Sequence, residues 1–143
     1  MTLLKTSLND IYAPIRADLD AFSDVLKKEL ESDDRLIRGI HEHLLKMSGK
    51  FLRPALTALS CRAAGGDTVD ASKLAAAIEL IHTATLVHDD IIDESPLRRN
   101  QPTVYSKWGR EISIVSGGVV CVIGILLCIP LLPKFWHYRR LPS

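Results

Sequence analysis

The sequence contains few cysteines, and their positions suit neither disulfides nor a metal site. The three cysteines, Cys61, Cys121 and Cys128, lack the spacing of paired metal ligands. An odd number of cysteines without a secretory leader argues against a disulfide framework. The segment before Pro14 has no apolar run long enough for the core of a signal peptide. We therefore expect a reducing, cytoplasmic setting.

The sequence also lacks an excess of charge of either sign. Its 18 lysines and arginines nearly balance its 17 aspartates and glutamates. No global field then attracts the chain to nucleic acid, so we expect no nucleic-acid partner. A chain of 143 residues, of which 47% are hydrophobic, is long enough and apolar enough for one domain with a core. Any anion binding must therefore come from local clusters of charge.

Strand patterns bounded by hairpin turns are absent before the loop SPLRRNQPT at 95–103. Apolar residues recur instead at helical steps of three and four. Pro14 and Pro54 suit the first turns of helices, and Asp70 suits an N-cap. Ser48-Gly49 and Gly65-Gly66 are typical helix ends. The sequence predicts an all-α fold, with helices over residues 11–30, 36–45, 54–64 and 71–93.

Three acidic residues lie close together near the end of the fourth predicted helix. Asp89 and Asp93 are four residues apart and share one helix face, while Asp90 lies beside Asp89. A divalent cation relieves their mutual repulsion, and oxygen ligands of this kind suit Mg²⁺ completed by substrate phosphates. A solvated acidic helix end is the alternative interpretation of this pattern alone.

Basic residues flank the acidic cluster on both sides. Lys50 and Arg53 lie at the start of a predicted helix, where backbone N–H groups and the helix dipole also favour anions. His82 lies two turns before Asp89 on the same face, and the adjacent Arg98 and Arg99 can each bind a phosphate bidentately. Taken singly, these features also fit a basic surface turn, a core histidine and a solvated arginine pair.

The order and spacing of these elements resemble the polyprenyl synthetases, the trans-isoprenyl diphosphate synthases that make isoprenoid diphosphates. The resemblance rests on GKFLRP at 49–54 and on ELIHTATLVHDDIIDESPLRRNQPTVYSKWG at 79–109, and it covers roughly residues 19–116. It implies the amino-terminal part of an all-α, isoprenoid-synthase-type helical bundle. It also implies a homodimer in the intact family.

The resemblance further implies a Mg²⁺-dependent prenyltransferase. In that family an allylic diphosphate ionises and its carbocation is attacked by the double bond of isopentenyl diphosphate. Transferred to this sequence, Asp89 and Asp93 are metal ligands assisted by Asp90, and Arg98 contacts the allylic diphosphate. The residues implied to hold isopentenyl diphosphate are Lys50, Arg53, His82 and Arg99. A phosphohydrolase that uses His88 and Asp89 as metal ligands is a remote alternative, because few further histidines are available to it.

The carboxy-terminal part departs from this pattern. Family members are about twice as long and carry a second aspartate-rich motif, so we expect this truncated chain to be inactive alone. We separate a synthase-like part, 1–116, from an apolar and basic tail, 117–143. Three explanations of the tail are open: a frameshift, a membrane anchor with KFWHYRR at the lipid interface, and a subunit completed by a partner. In the second case, the apolar residues 112–133 predict membrane contact. The alternative function is a non-catalytic fragment that binds prenyl diphosphate.

Overall fold

The computed structural model describes residues 7–47, 49–66 and 68–133, which are mostly helical. The prediction of an all-α fold is confirmed, since the strands in these ranges form one short hairpin. The α-helices are α1 (Leu8–Tyr12), α2 (Arg16–Glu29), α3 (Arg35–Met47), α4 (Leu52–Ala63), α5 (Thr68–Ile92), α6 (Val104–Trp108) and α7 (Arg110–Cys128). The hairpin consists of β1 (Leu97–Arg98) and β2 (Gln101–Pro102).

Pro14 interrupts the first predicted helix. α1 ends at Tyr12, and a 3₁₀ turn over Ala13–Ile15 precedes α2. Proline has no N–H to donate and its ring crowds the preceding turn, so a continuous α-helix breaks at this point. Ile15, at the end of the turn, is fully buried and fixes the direction in which α2 starts. The prediction of one helix over 11–30 is therefore wrong at its amino-terminal end.

α5 is the central helix of the fold and packs against α2, α4 and α7. Its sequence is rich in alanine and leucine, which favour helix and allow close approach of neighbours. The main core cluster joins Phe22 of α2, Leu44 of α3, Leu80 of α5 and Val120 of α7. Asp70 lies in the first turn of α5, not before it, so its prediction as the N-cap is wrong. An acidic side chain in a first turn still interacts favourably with the helix dipole.

α7 is continuous through the paired glycines at which the tail was predicted to begin. A Cβ at Gly124 would lie 2.9 Å from Ile81 Cγ1 and 3.0 Å from the carbonyl oxygen of Ala77, so the missing side chain allows α7 to approach α5. Likewise, a Cβ at Gly117 would lie 2.7 Å from His88 Nε2. Glycine costs helix propensity, but here close packing compensates for that cost. The division at residue 116 stays a prediction, and the segment KFWHYRR lies outside the described residues.

The hairpin lies inside the segment that was predicted to be an irregular polar loop. Leu97 pairs with Pro102 and Arg98 with Gln101. The two residues between the strands, Arg99 and Asn100, have φ angles of 51° and 62°. Two successive positive φ values are typical of the tight turns that match the twist of a hairpin. This turn brings two adjacent arginines back towards the helices.

Candidate functional site

A cleft of about 90 Å³ lies between the end of α3, the start of α4, one face of α5 and the hairpin. We call it the basic cleft. Its walls include apolar side chains such as Met47, Phe51 and Leu86. The charged and titratable side chains that line it are Lys50, Arg53, Glu79, His82, Asp90, Arg98 and Arg99. The five basic residues predicted from the sequence therefore meet in one place.

The start of α4 supplies the first two cations. Phe51 precedes α4 with a left-handed φ of 50°, and its ring packs edge-on against Phe22 with centroids 5.2 Å apart. The carbonyl oxygen of Lys50 accepts a hydrogen bond of 2.6 Å from the hydroxyl of Tyr12. These contacts fix the backbone of the turn, while the side chains of Lys50 and Arg53 are exposed. Two exposed cations therefore extend from an anchored backbone at a helix amino terminus.

The hairpin turn brings Arg99 across the cleft. Its Nη1 donates a hydrogen bond of 3.3 Å to the carbonyl oxygen of Met47 at the end of α3. The guanidinium also covers Gly49, where a Cβ would lie 2.9 Å from Nη2. Glycine is therefore required at this position if Arg99 is to keep its place.

One face of α5 forms the floor of the cleft, with Glu79, His82, Thr83, Leu86 and Asp90 at helical steps of three and four. Burial lowers the pKa of His82 below its ordinary 6.5, and the positive charges of the cleft arginines lower it further, against an opposing effect of Asp89. His82 is therefore neutral at pH 7. A neutral imidazole offers one N–H donor to an anion, but no charge.

The three aspartates divide between two environments. Asp90 is buried, and its Oδ1 accepts a hydrogen bond of 2.9 Å from Nε of Arg98. Burial raises the pKa of Asp90, which the Arg98 ion pair opposes and the other two aspartates reinforce. Asp89 and Asp93 are exposed and are not among the residues that line the cleft. The structure thus brings Asp90 to the basic residues and leaves Asp89 and Asp93 at the surface.

Asp89 and Asp93 are the predicted metal ligands, and the side chains near them determine what kind of metal site they can form. No cluster of three or more histidine, cysteine, aspartate or glutamate side chains that could hold a metal occurs within 7–47, 49–66 and 68–133. Two exposed carboxylates one turn apart do not form a closed site. They do fit Mg²⁺, which commonly takes one or two carboxylates and completes its shell with water and substrate phosphate.

Glu79 also lines the cleft, although it was not among the site residues predicted from the sequence. It is 8% exposed, and its Oε2 is buried without a hydrogen-bond partner in the part of the chain that the structure describes. Burial raises the pKa of Glu79 above its ordinary 4.5, and the charges of Arg53 and Arg99 oppose this effect. The signal was present in the sequence, because a lone acid in AAAIELI lies three residues before His82 on the same helix face.

Comparison with known proteins identifies relatives of similar sequence and fold. The chain is 43% identical over 109 residues to a short chain isoprenyl diphosphate synthase of Methanothermobacter thermautotrophicus, a match that covers 68% of this chain and 34% of that protein. It is 38% identical to an all-trans-nonaprenyl-diphosphate synthase (geranyl-diphosphate specific) of Rhodobacter capsulatus, over 76% of this chain and 34% of that protein.

Solved structures show the same relationship. The crystal structure of a polyprenyl synthase from Caulobacter crescentus, complexed with calcium and isoprenyl diphosphate, superposes with a TM-score of 0.82 at 34% identity. The superposition covers 90% of this chain and 39% of that one. The chain therefore spans about a third of the length of these relatives.

A family model gives the same assignment. The sequence model of the polyprenyl synthetases, a family of prenyltransferases, matches residues 34–131 and so extends into α7 beyond the resemblance noted in the sequence. This match covers most of the chain, and the similar proteins above share its helical fold. The chain belongs to the polyprenyl synthetase family.

Proposed function

We propose that the chain is the diphosphate-binding part of an isoprenyl diphosphate synthase, which condenses an allylic diphosphate with isopentenyl diphosphate. The observation that carries this proposal is the basic cleft, where cations from α4 and the hairpin face the helix that bears the aspartates. Guanidinium and ammonium groups are the natural partners of phosphate oxygens. Membership of the polyprenyl synthetase family supports the same reaction.

The cations have separate tasks in this proposal. Lys50, Arg53, His82 and Arg99 bind isopentenyl diphosphate, with His82 donating an N–H hydrogen bond to it. Arg98 binds the allylic diphosphate. Its ion pair with Asp90 uses Nε, which leaves the two Nη groups available to a phosphate. Asp90 thus fixes the direction of Arg98.

Asp89 and Asp93 are proposed to hold Mg²⁺ together with the allylic diphosphate. Bound there, the ion would neutralise negative charge on the departing diphosphate. The fixed cations of the cleft contribute to the same end, because a charge that develops during reaction is stabilised best by groups already in place. The cleft residues also orient isopentenyl diphosphate so that its double bond faces the allylic carbon.

The metal assignment is tested by titrating the chain with inorganic pyrophosphate, with and without Mg²⁺. We expect Mg²⁺ to strengthen binding, and we expect the double substitution Asp89→Asn/Asp93→Asn to remove this increase while binding in EDTA is unchanged. Asp20→Asn/Asp24→Asn is the matched control, since those aspartates are also exposed and four apart on a helix. An equal Mg²⁺ effect in all three proteins would contradict the metal assignment.

A non-catalytic role for this chain alone is the second candidate, favoured by its coverage of about a third of its relatives. The segment Arg110–Leu131 is also long and apolar enough to cross a membrane, with a mean hydropathy of 2.7 and 28% of its apolar window buried. Core helices of globular proteins share this length and apolarity but are mostly buried, so a second copy or a partner chain is the proposed cover for the exposed face of α7.

Incubation with an allylic diphosphate and labelled isopentenyl diphosphate separates the two candidates. A non-catalytic chain should bind pyrophosphate without forming product. Labelled product that is lost in Arg99→Ala would show that the chain is a synthase by itself. Absence of pyrophosphate binding by the folded chain would contradict both candidates.

A further inference from the structure

Glu79 is a buried acid in a cleft that five basic residues line. It lies on α5 one turn before His82, with only 8% of its surface exposed. Its Oε2 is buried and has no hydrogen-bond partner among the described residues. Buried carboxyl oxygens are normally satisfied, so an unpaired oxygen on a residue that lines a cleft indicates a partner that ligand binding supplies.

The positive charges around Glu79 oppose the effect of burial on its pKa. Arg53 lines the same cleft from α4, Lys50 from the turn before α4, and Arg98 and Arg99 from the hairpin. From α5 itself, neutral His82 and the acid Asp90 face the same cleft. Asp90 is already paired with Arg98, so Glu79 is the acidic lining residue that counters the remaining cations. Burial favours the neutral carboxyl, whereas Arg53 and Arg99 favour the carboxylate.

A bound diphosphate would alter this balance in one direction. Its negative charge would repel an ionised Glu79 and would occupy the guanidiniums that stabilise the carboxylate. A neutral carboxyl is then favoured, and its O–H is a donor that a phosphate oxygen can accept. The unpaired oxygen of the free cleft would thereby gain a partner.

We propose that Glu79 is a specificity-determining residue that takes up one proton from solvent when a diphosphate binds and then donates a hydrogen bond to it. The inference rests on the proposed function of the basic cleft. One O–H bond forms at the carboxylate, and the buffer loses the proton. Glu79 thus couples anion affinity to pH and favours ligands that have phosphate acceptors at this position.

The proposed coupling predicts the direction in which anion affinity changes with pH. Where free Glu79 is ionised and bound Glu79 is protonated, affinity falls as pH rises, by at most about tenfold per pH unit for one proton. Glu79→Gln imitates the neutral acid, because its amide donates a hydrogen bond and carries no charge. We therefore expect the variant to bind more tightly than wild type at pH 8, by about tenfold, and equally well where Glu79 is already protonated.

The experiment is calorimetric titration of the full chain with inorganic pyrophosphate between pH 5 and 8, in buffers of different ionisation enthalpy. Wild type should take up more protons on binding than Glu79→Gln does. The titration of pyrophosphate itself is common to both proteins, so their difference reports Glu79. His82→Asn, alone and combined with Glu79→Gln, removes a second titrating group of the cleft, and Asp90 is common to all these proteins. Glu42→Gln is the matched control, since Glu42 is an exposed acid outside the cleft.

The outcomes distinguish this inference from the function on which it rests. Pyrophosphate binding with the same pH profile and proton uptake in wild type and Glu79→Gln would overturn the inference alone. Weaker binding by the variant at every pH would also overturn it, because that result describes a structural carboxylate. A folded wild-type chain that does not bind pyrophosphate would overturn the proposed function as well. Glu79→Leu provides the uncharged comparison if the glutamine variant does not fold.

Discussion

At the scale of the residue, the basic cleft depends on a few side chains whose neighbours restrict them strongly. Arg98 is held by buried Asp90, and Arg99 reaches from the hairpin turn to the end of α3. Each guanidinium is thus directed by one specific contact. These contacts hold the two guanidiniums in position in the free protein, and they leave other N–H groups of the same side chains available.

Glu79→Gln should stabilise the folded chain at neutral pH. A buried carboxylate with one unpaired oxygen costs free energy, and its neutral replacement should recover about 1 kcal/mol. Burial raises the folded pKa of Glu79 above 4.5, so the contribution of Glu79 to the free energy of unfolding is most favourable below that pH and falls as pH rises through the folded pKa. The gain should therefore be present at pH 7.5 and disappear near pH 4. Urea unfolding at the two pH values measures it, and an equal change at both would contradict the explanation.

Gly49→Ala should weaken pyrophosphate binding by about tenfold, a loss typical of one displaced charged hydrogen bond. The added methyl group would overlap the guanidinium of Arg99 and force that side chain away from the cleft. Gly39→Ala is the matched control, because a Cβ at Gly39 has no atom within 4 Å. The control should keep wild-type affinity and gain slight stability as an alanine within α3. Equal affinities for the two variants would show that Gly49 does not position Arg99.

At the scale of the element, α5 has different roles on its different faces. One face lines the basic cleft and bears the exposed Asp89 near its end, and another face receives α7, while Asp93 follows directly after the helix. The position of each catalytic candidate therefore depends on how closely α7 and α4 pack against this one helix. Small residues at the contact set that distance.

Gly124→Ala should lower the free energy of unfolding by roughly 1–3 kcal/mol, the usual cost of an overpacked contact. The new Cβ would lie 3.0 Å from the backbone oxygen of Ala77, which cannot move without displacing α5. Gly118→Ala is the control on the same helix, since a Cβ there meets no atom within 4 Å. Chemical denaturation measures the free energy of unfolding of both variants. Helix propensity alone predicts that each glycine-to-alanine substitution increases it. A gain in Gly124→Ala would mean that the helices are not in close contact.

The sequence predicted the elements better than it predicted their ends. Helical periodicity gave α3, α4 and α5, because apolar steps of three and four reflect a buried face directly. The break at Pro14 and the start of α5 were misplaced, since a boundary depends on local contacts as well as on propensity. The hairpin was missed because Arg99-Asn100 lacks the glycine that usually marks such a turn.

At the scale of the whole molecule, α7 leaves a broad apolar surface uncovered in the described structure. Its exposed large apolar residues include Ile114, Val115, Val119, Val122, Ile125 and Leu126. A contiguous surface of this kind is typical of an interface. The chain carries a formal net charge of only +1, so little electrostatic repulsion opposes its association.

The chain should therefore associate as its concentration increases, and Val122→Lys/Ile125→Lys should shift it towards the monomer. Both side chains are at least half exposed, so the lysines disturb the surface more than the core. Leu56→Lys is the control, because Leu56 lies on the exposed face of α4. This variant should associate like wild type. Sedimentation velocity over a concentration series provides the measurement. A wild-type chain that is monomeric throughout would contradict the prediction.

The sequence by itself determined the helical class, the family and the identities of the basic residues, because periodicity and motif spacing are local properties of the chain. Only the tertiary structure separated Asp90 from Asp89 and Asp93, since burial against the hairpin depends on segments distant in sequence. The same is true of Glu79, an ordinary acid in the sequence. Folding surrounds it with Arg53, Arg99 and apolar walls, and that low-dielectric, positively charged environment decides its chemistry.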